Sequence, residues 1–317
     1  MKKWLFKILK IIFFLAVLFF LCKLVYDNIN GLKNMKFEIN VGLFSLSLLA
    51  YIIYKFYNAV LWHYITTKSG CSISVGNSII SWSYSQLGKF IPGKVFYLVA
   101  RLYRYKKENK PVKNVTFCFL LENTYTFVSA LFVFVASLPF VKAEVFQQYK
   151  LQVIILIVLF FVFFNPYIIE NSINFIFRLF KKEPVKLAFR YRELIFTLLL
   201  FVSDWIIMCV GFYLLLIAIY PAGHSDFFYL MAVFSLANVI GILSFFTPLG
   251  IGVREAVLIL ALKLIMPAPY AVIITIVSRL WTTAGDLLNV LSVFIYEKAK
   301  IKKLKSLGGR KSKSLKA

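Results

Sequence analysis

Acidic side chains are scarce in this chain: 13 Asp and Glu stand against 37 Lys and Arg in 317 residues. The loops carry only scattered single acids, so they offer no carboxylate cluster of the kind metal-dependent transfer needs. Histidine is rarer still, and the apolar runs between His63 and His224 set the two too far apart to share a metal. The four cysteines, Cys22, Cys71, Cys118 and Cys209, stand singly without CxxC or CxH spacing. They imply neither a disulfide framework nor a thiolate site, and core packing is their expected role. No HExxH, P-loop or GxSxG context occurs. No catalytic residue, metal or cofactor is expected.

Apolar residues, by contrast, make up 61% of the chain, with 34 Phe and 18 Tyr. That leaves too little polar surface to cover a water-soluble globule. The sequence offers repeated runs of the roughly 20 apolar residues that cross a hydrocarbon layer of about 30 Å. The fold class this predicts is an all-α integral membrane protein. The net charge of +24 sits in short loops between runs and at the C-terminal end, the pattern of positive-inside topology. No separate basic domain with interleaved aromatics exists, so nucleic acid is not an expected partner. Lipids with anionic headgroups are.

Two stretches break the apolar pattern. Gln86-Leu-Gly-Lys-Phe-Ile-Pro-Gly-Lys94 and Thr247-Pro-Leu-Gly-Ile-Gly-Val-Arg-Glu255 place Gly, Pro and charge inside hydrophobic sequence, about half the chain apart. Around them the runs predict spans ending near Tyr26, then at 41–62, 114–140, 151–169, 194–220 and 270–296. Four lysines before residue 11 put the N-terminus in the cytoplasm, and the lysines beyond residue 297 do the same for the C-terminus. The stretch 77–103 is too short to cross twice, so it should dip in and turn back at Gly88–Gly93. The stretch 227–265 should enter from the opposite face. This gives six full spans and two re-entrant hairpins, or eight spans if the hairpins cross. A single membrane domain over 1–296, with inverted repeats 1–140 and 151–296, precedes a basic cytoplasmic tail, 297–317, read as solvated and unstructured. Gly/Pro-broken segments at matching places in two repeats point to a midplane transporter site.

Ionisable groups at bilayer depth cost at least about 2.5–3.5 kcal/mol each, so they should face a cavity or pair. Lys89 and Lys94 flank the first break, where Gly88, Pro92 and Gly93 would expose backbone amides suited to a phosphate. Arg254 and Glu255 follow the second break, and Glu255 should meet Lys89 or Arg101 if the two tips touch. Arg279 and Asp286 share a face of the last span and would join Glu122 in one network, while Lys55 should face Asp204.

The pattern Gly88-Lys89, Pro92-Gly93-Lys94 and Arg101, with the later Pro-x-Gly-x-Gly-Val-Arg-Glu, resembles the lysylphosphatidylglycerol synthase transmembrane-region family, also called the flippase-like domain family. Glu122 and Arg279 resemble that family's acidic residue in the third span and arginine in the last. Leu249 replaces the first glycine of the usual Pro-Gly-Gly, and Asn123 and Thr126 depart from the frequent Glu-Arg-x-x-Asp. The resemblance implies a domain of the cell membrane that moves lipid between leaflets. Synthase activity is not expected, because the soluble aminoacyl-transferring domain would follow the membrane part. Gly88, Lys89, Pro92, Gly93, Lys94, Arg101, Glu122, Arg254, Glu255 and Arg279 are the candidate substrate-binding residues, with Glu122, Glu255 or Asp286 as carriers of any proton coupling. The rival readings are a membrane-embedded transferase on a lipid-linked substrate and a non-transporting partner of a cytoplasmic synthase or glycosyltransferase.

Overall fold

The computed structural model describes residues 38–90, 95–141, 151–152, 155, 165–179, 181–184, 189–221, 226–244 and 252–314. The expected first span, most of the fourth, and the tips at 91–94 and 245–251 lie outside the described residues. Those described form nine α-helices and no strand. In chain order they are α1 (Val41–Lys68), α2 (Val75–Ser85), α3 (Val95–Lys107), α4 (Val112–Ser137), α5 (Pro166–Leu179), α6 (Tyr191–Ile217), α7 (Phe227–Leu243), α8 (Val253–Leu262) and α9 (Ala268–Ser314). A 3₁₀ turn, Gln86–Phe90, continues α2 into the first break.

Local chemistry sets the ends of these helices. Asn40 caps α1 by accepting from Leu43 N at 3.1 Å, and Gly70, at φ 73°, ends it in the left-handed region that glycine enters without a Cβ penalty. Pro111 stands immediately before α4 as its N-cap, and Pro139 sits in the 3₁₀ turn that ends it. The basic C-terminal stretch does not become an unstructured tail: α9 runs on to Ser314. Its lysines and leucines are good helix formers, and no proline interrupts them.

The sidedness of α1 is the reverse of a water-soluble helix. Leu46, Leu49, Ile53 and Val60 point outward, while Ser47, Tyr51, Lys55, Asn58 and Trp62 are buried. Only 28% of its most apolar window is covered by protein, an arrangement that suits lipid and not water. Four helices, Val41–Lys68, Val112–Phe140, Tyr191–Ile217 and Ala268–Lys300, are long and apolar enough to cross a membrane. The chain is a multi-pass membrane protein.

The long helices frame the short ones. α1 lies along α6, tied by Asn58 to Asp204 at 2.7 Å and Tyr57 to Ser203 at 2.9 Å. The short pair α2 and α3 packs on α9 and α4, respectively, and the short pair α7 and α8 packs on α4 and α9. Each pair is therefore wedged between the same two long helices. One core gathers Phe212, Phe234, Leu258 and Trp281 around α6 to α9, and a second gathers Trp62, Tyr105, Leu121 and Phe201 around α1 to α6.

Candidate functional site

The charged residues inside the fold sort into three clusters. At the first, α3 places Tyr97 and Arg101 one turn apart, α2 offers Trp82 and Ser85, and α4 offers Glu122. Arg101 Nη1 donates to Glu122 Oε2, Nη2 donates to Tyr97 OH at 2.8 Å, and Nε donates to Ser85 Oγ at 3.0 Å. Trp82 Nε1 adds a bond to Glu122 Oε1 at 2.7 Å. Arg101 has no solvent exposure, and its Cζ lies 4.2 Å from the Trp62 ring centroid and 4.7 Å from that of Tyr97. Every nitrogen of this guanidinium is engaged, in an aromatic box that strengthens the ion pair by excluding water. Gly88 closes the corner: a Cβ there would stand 2.5 Å from Tyr97 N and 2.7 Å from Phe96 C. Only a residue without a side chain lets the turn after α2 lie this close on the backbone of α3.

The second cluster is built at the start of α8. Gly252, at φ 92°, turns the chain into the helix, and its N–H donates to Glu255 Oε2 at 2.6 Å, a cap on the first turn. Glu255 Oε1 accepts from Arg279 Nε of α9 and from Arg254 Nη1 at 3.3 Å. Arg254 reaches back to α7, donating Nε to Asn238 Oδ1 at 3.1 Å, and Gly241 leaves room for its stem, since a Cβ there would stand 3.2 Å from Arg254 Cβ. Arg254 is 5% exposed, yet its Nη2 has no hydrogen-bond partner among the described residues. Two guanidinium groups thus share one carboxylate, and one of them holds a buried donor in reserve.

Between these lies a third cluster. Lys55 Nζ is 2.9 Å from Asp286 Oδ1 and 3.0 Å from Gln86 Oε1. Tyr51 OH donates to Asp286 Oδ1 at 3.2 Å, and Gly285 makes room for it, because a Cβ there would overlap the Tyr51 ring. Asp204 sits beside this group and accepts from Asn58 Nδ2.

The structure brings Arg101 to Glu122, and Arg254 and Arg279 to Glu255. It does not bring Glu255 to Arg101. Of the two expected partners of Glu255, Arg101 is held by Glu122 and the side chain of Lys89 lies outside the described residues; among the described residues Glu255 pairs within the second half, because the α8 cap aims that carboxylate at α9. The expected single network of Glu122, Arg279 and Asp286 is instead three clusters. Lys55 pairs with Asp286 in place of Asp204, because α9 and not α6 presents the carboxylate at its tip. Of the first-break residues, Pro92, Gly93 and Lys94 lie outside the described residues, as does the side chain of Lys89.

Sequence reasoning missed Tyr51, Trp82, Gln86, Tyr97 and Asn238. Gln86 and Asn238 carried a signal as amides within apolar runs, but the aromatic donors were lost among the many rings. A cavity of about 480 Å³ between α1, α2 and α9, lined by Phe56, Ile79, Ile80, Val293 and Tyr296, is apolar and contains none of the clustered charges. Among the described residues no group of His, Cys, Asp and Glu could hold a metal.

A search of curated proteins gives no match. The family description "Lysylphosphatidylglycerol synthase TM region" matches residues 7–288, a stretch that contains all three clusters. With nine-tenths of its length covered and the Pro-x-Gly-x-Gly-Val-Arg-Glu and Gly-Lys-x-x-Pro-Gly-Lys breaks both inside the match, the chain belongs to the lysylphosphatidylglycerol synthase TM region family.

Proposed function

We propose that the protein moves an anionic lipid, a phospholipid or a lipid-linked phosphate, between the leaflets of the cell membrane, with its headgroup passing the Arg254 cluster. The observation that carries this reading is the buried Nη2 of Arg254, a cationic donor without a hydrogen-bond partner among the described residues, beside a carboxylate already shared by two arginines. A phosphate oxygen completes such a group with a charge-assisted hydrogen bond. Family membership places the chain in lipid-related function, and the outward apolar faces leave lipid tails in contact with hydrocarbon while the headgroup travels inside.

In this reading α2 with α3, and α7 with α8, are re-entrant hairpins. Their lengths of 11, 13, 17 and 10 residues support it, since at 1.5 Å per residue each falls short of a hydrocarbon layer of about 30 Å. The exchange of packing partners, each pair lying on both α4 and α9, fits two inverted repeats. Both termini are cytoplasmic by the distribution of lysine and arginine. Lys89 and Lys94 would guide the headgroup toward the cluster, and anionic lipids are the partners.

The test is a headgroup-accessibility assay on the purified protein in liposomes doped with a headgroup-labelled lipid. Faster loss of protected label than in empty liposomes is expected for at least one anionic lipid. No acceleration with anionic phospholipids or with a polyprenyl-phosphate sugar would sink the proposal.

A further inference from the structure

The four acids buried among the described residues differ in one respect. Glu122 is held by Arg101, Glu255 by Arg254 and Arg279, and Asp286 by Lys55. Of these four, Asp204 is the one with no ion pair to a described residue. It is 1% exposed and occupies the central position of α6, Tyr191–Ile217, some 20 Å of helix from either end. Its hydrogen-bond donor is neutral, the amide of Asn58 at 2.7 Å. Lys55 acts on it only through space, since its direct contacts are to Asp286 and Gln86. A carboxyl at that depth without a counter-charge is the kind of group that carries protons in membrane transporters.

Charged and titratable groups surround it on the packed helices. From α1, Lys55 and Tyr54 act on Asp204, and from α4, Glu122 does so. On its own helix lies Cys209, whose thiol meets Ser235 of α7 at 3.7 Å. From α9, Asp286 shares Tyr54 with it as a neighbour. Asp286 is bonded to Tyr51, and Tyr51 lies in the field of Arg254. Tyr51, Asp286 and Lys55 are joined by direct contacts, and Arg254 at one end and Asp204 at the other act on this chain through space.

We propose that Asp204 is the proton-binding site of the transport cycle, taking up one proton when an anion occupies Arg254 and releasing it when the anion leaves. This rests on the headgroup reading above. An anion at Arg254 adds negative charge to the side of the fold where Asp204, of the four buried acids, has no ion pair with a described residue. Converting that carboxylate and a proton from water into a neutral carboxyl removes the repulsion, with Asn58 still donating to the other oxygen. The coupling is reciprocal: proton binding strengthens anion binding as much as anion binding strengthens proton binding. A gradient of protons could then drive the lipid.

The experiment is calorimetry of dihexanoylphosphatidylglycerol, a soluble monoanionic probe, on the full chain in detergent. Buffers of different ionisation heat count the protons taken up. The wild type should absorb up to one proton per lipid bound, with affinity falling by up to tenfold per pH unit as pH rises through the titration of Asp204. Asp204→Asn keeps the shape and the Asn58 contact; it should bind at the wild type's acidic affinity with no pH slope and no proton uptake. Asp204→Glu should restore both. Equal proton uptake by wild type and Asp204→Asn overturns the proposal. If the wild type binds no anionic probe at any pH, the headgroup reading fails. A pH-titrated infrared spectrum then still decides the proton site: a protonated-carboxyl band lost in Asp204→Asn supports it, and the same band in both proteins overturns it.

Discussion

Arg279 of α9 donates to Glu255 of α8 in the second half of the chain, and in the first half the same kind of pair is built with its charges exchanged. There the arginine, Arg101, sits on the short helix α3, and the acid, Glu122, sits on the long helix that follows. In each half a guanidinium and a carboxylate fasten the second leg of a short-helix pair to the next long helix. The pairs are nonetheless unequal. Arg101 is sealed and fully bonded, whereas the second pair shares its carboxylate with Arg254.

The sealed pair should behave as a structural latch. Arg101→Met or Glu122→Leu alone strands one buried charge, at a cost of about 3–5 kcal/mol. The double variant removes both charges and should recover most of that loss, since apolar replacement of a complete buried pair is often neutral. Thermal unfolding of the four proteins in detergent checks this. Additive losses in the double variant would show that the two side chains do not act as a pair.

Glycines 88 and 70 separate two reasons for lacking a side chain. Gly88→Ala drives a Cβ into the backbone of Phe96 and Tyr97, which cannot swing aside as a side chain can. The α2–α3 corner must open, at about 1–3 kcal/mol, and Arg101 moves with it, so translocation should fall too. Gly70→Ala meets no atom within 4 Å and suffers only from its positive φ, a cost of about 1–2 kcal/mol. It should melt earlier while transporting normally. Equal loss of transport in both variants would mean that the corner has no special part.

The helices and the breaks were legible in the sequence because each has a local cause: long apolar runs, the prolines flanking α4, and glycine where the chain turns. The inward Arg101 and Glu122 could be named for a similar reason, as charges that a membrane interior does not accept unpaired. Their partners could not. Whether Lys55 meets Asp204 or Asp286 depends on the rotation of α6 and α9 about α1, and both acids lie at suitable depth in the sequence. The pairing of Glu255 with Arg279 follows from the Gly252 cap, a feature of three-dimensional backbone geometry. The helical course of residues 297–314 is not legible in the sequence, because its dense like charge has the pattern of a solvated tail and only the propensity of its lysines and leucines favours a helix.

Tyr51 and Gly285 make a further test of the central cluster. The ring occupies the space where a Cβ on residue 285 would stand, and its hydroxyl bonds to Asp286 at 3.2 Å. Tyr51→Phe keeps the ring and loses one hydrogen bond to a charged group, about 1.5–3 kcal/mol. Gly285→Ala displaces the ring and should cost at least as much. Tyr51→Ala with Gly285→Ala should be less damaging than the sum of the two single changes, because the small side chain vacates the space that the new methyl needs. Unfolding temperatures of the set measure this coupling directly.

Arg254 and Glu255 are neighbours whose loss should have opposite signatures. Glu255→Gln leaves Arg254 and Arg279 facing each other without their shared carboxylate and strips the first turn of α8 of its charged cap, so stability should drop by about 3–5 kcal/mol. Arg254→Gln leaves the Glu255 bonds to Arg279 and Gly252 in place. It gives up the hydrogen bonds to Asn238 and to Glu255, about 1.5–3 kcal/mol each, but strands no buried charge, since Arg279 still pairs with Glu255, so the fold should survive. What it removes is the unpartnered Nη2 and its charge. One charge-assisted hydrogen bond to a phosphate, at about 1.5–3 kcal/mol, corresponds to a fall in translocation of about 10- to 100-fold. Arg254→Lys keeps the charge but not the two-pronged reach to Asn238 and ligand, and should fall between wild type and Gln. Arg104→Gln, which breaks a half-exposed pair with Glu297 at 2.7 Å, serves as the control for losing an arginine outside the cluster. The headgroup-accessibility assay and a melting curve on each variant decide the matter. Transport at the wild-type rate in a folded Arg254→Gln protein would remove Arg254 from the headgroup path.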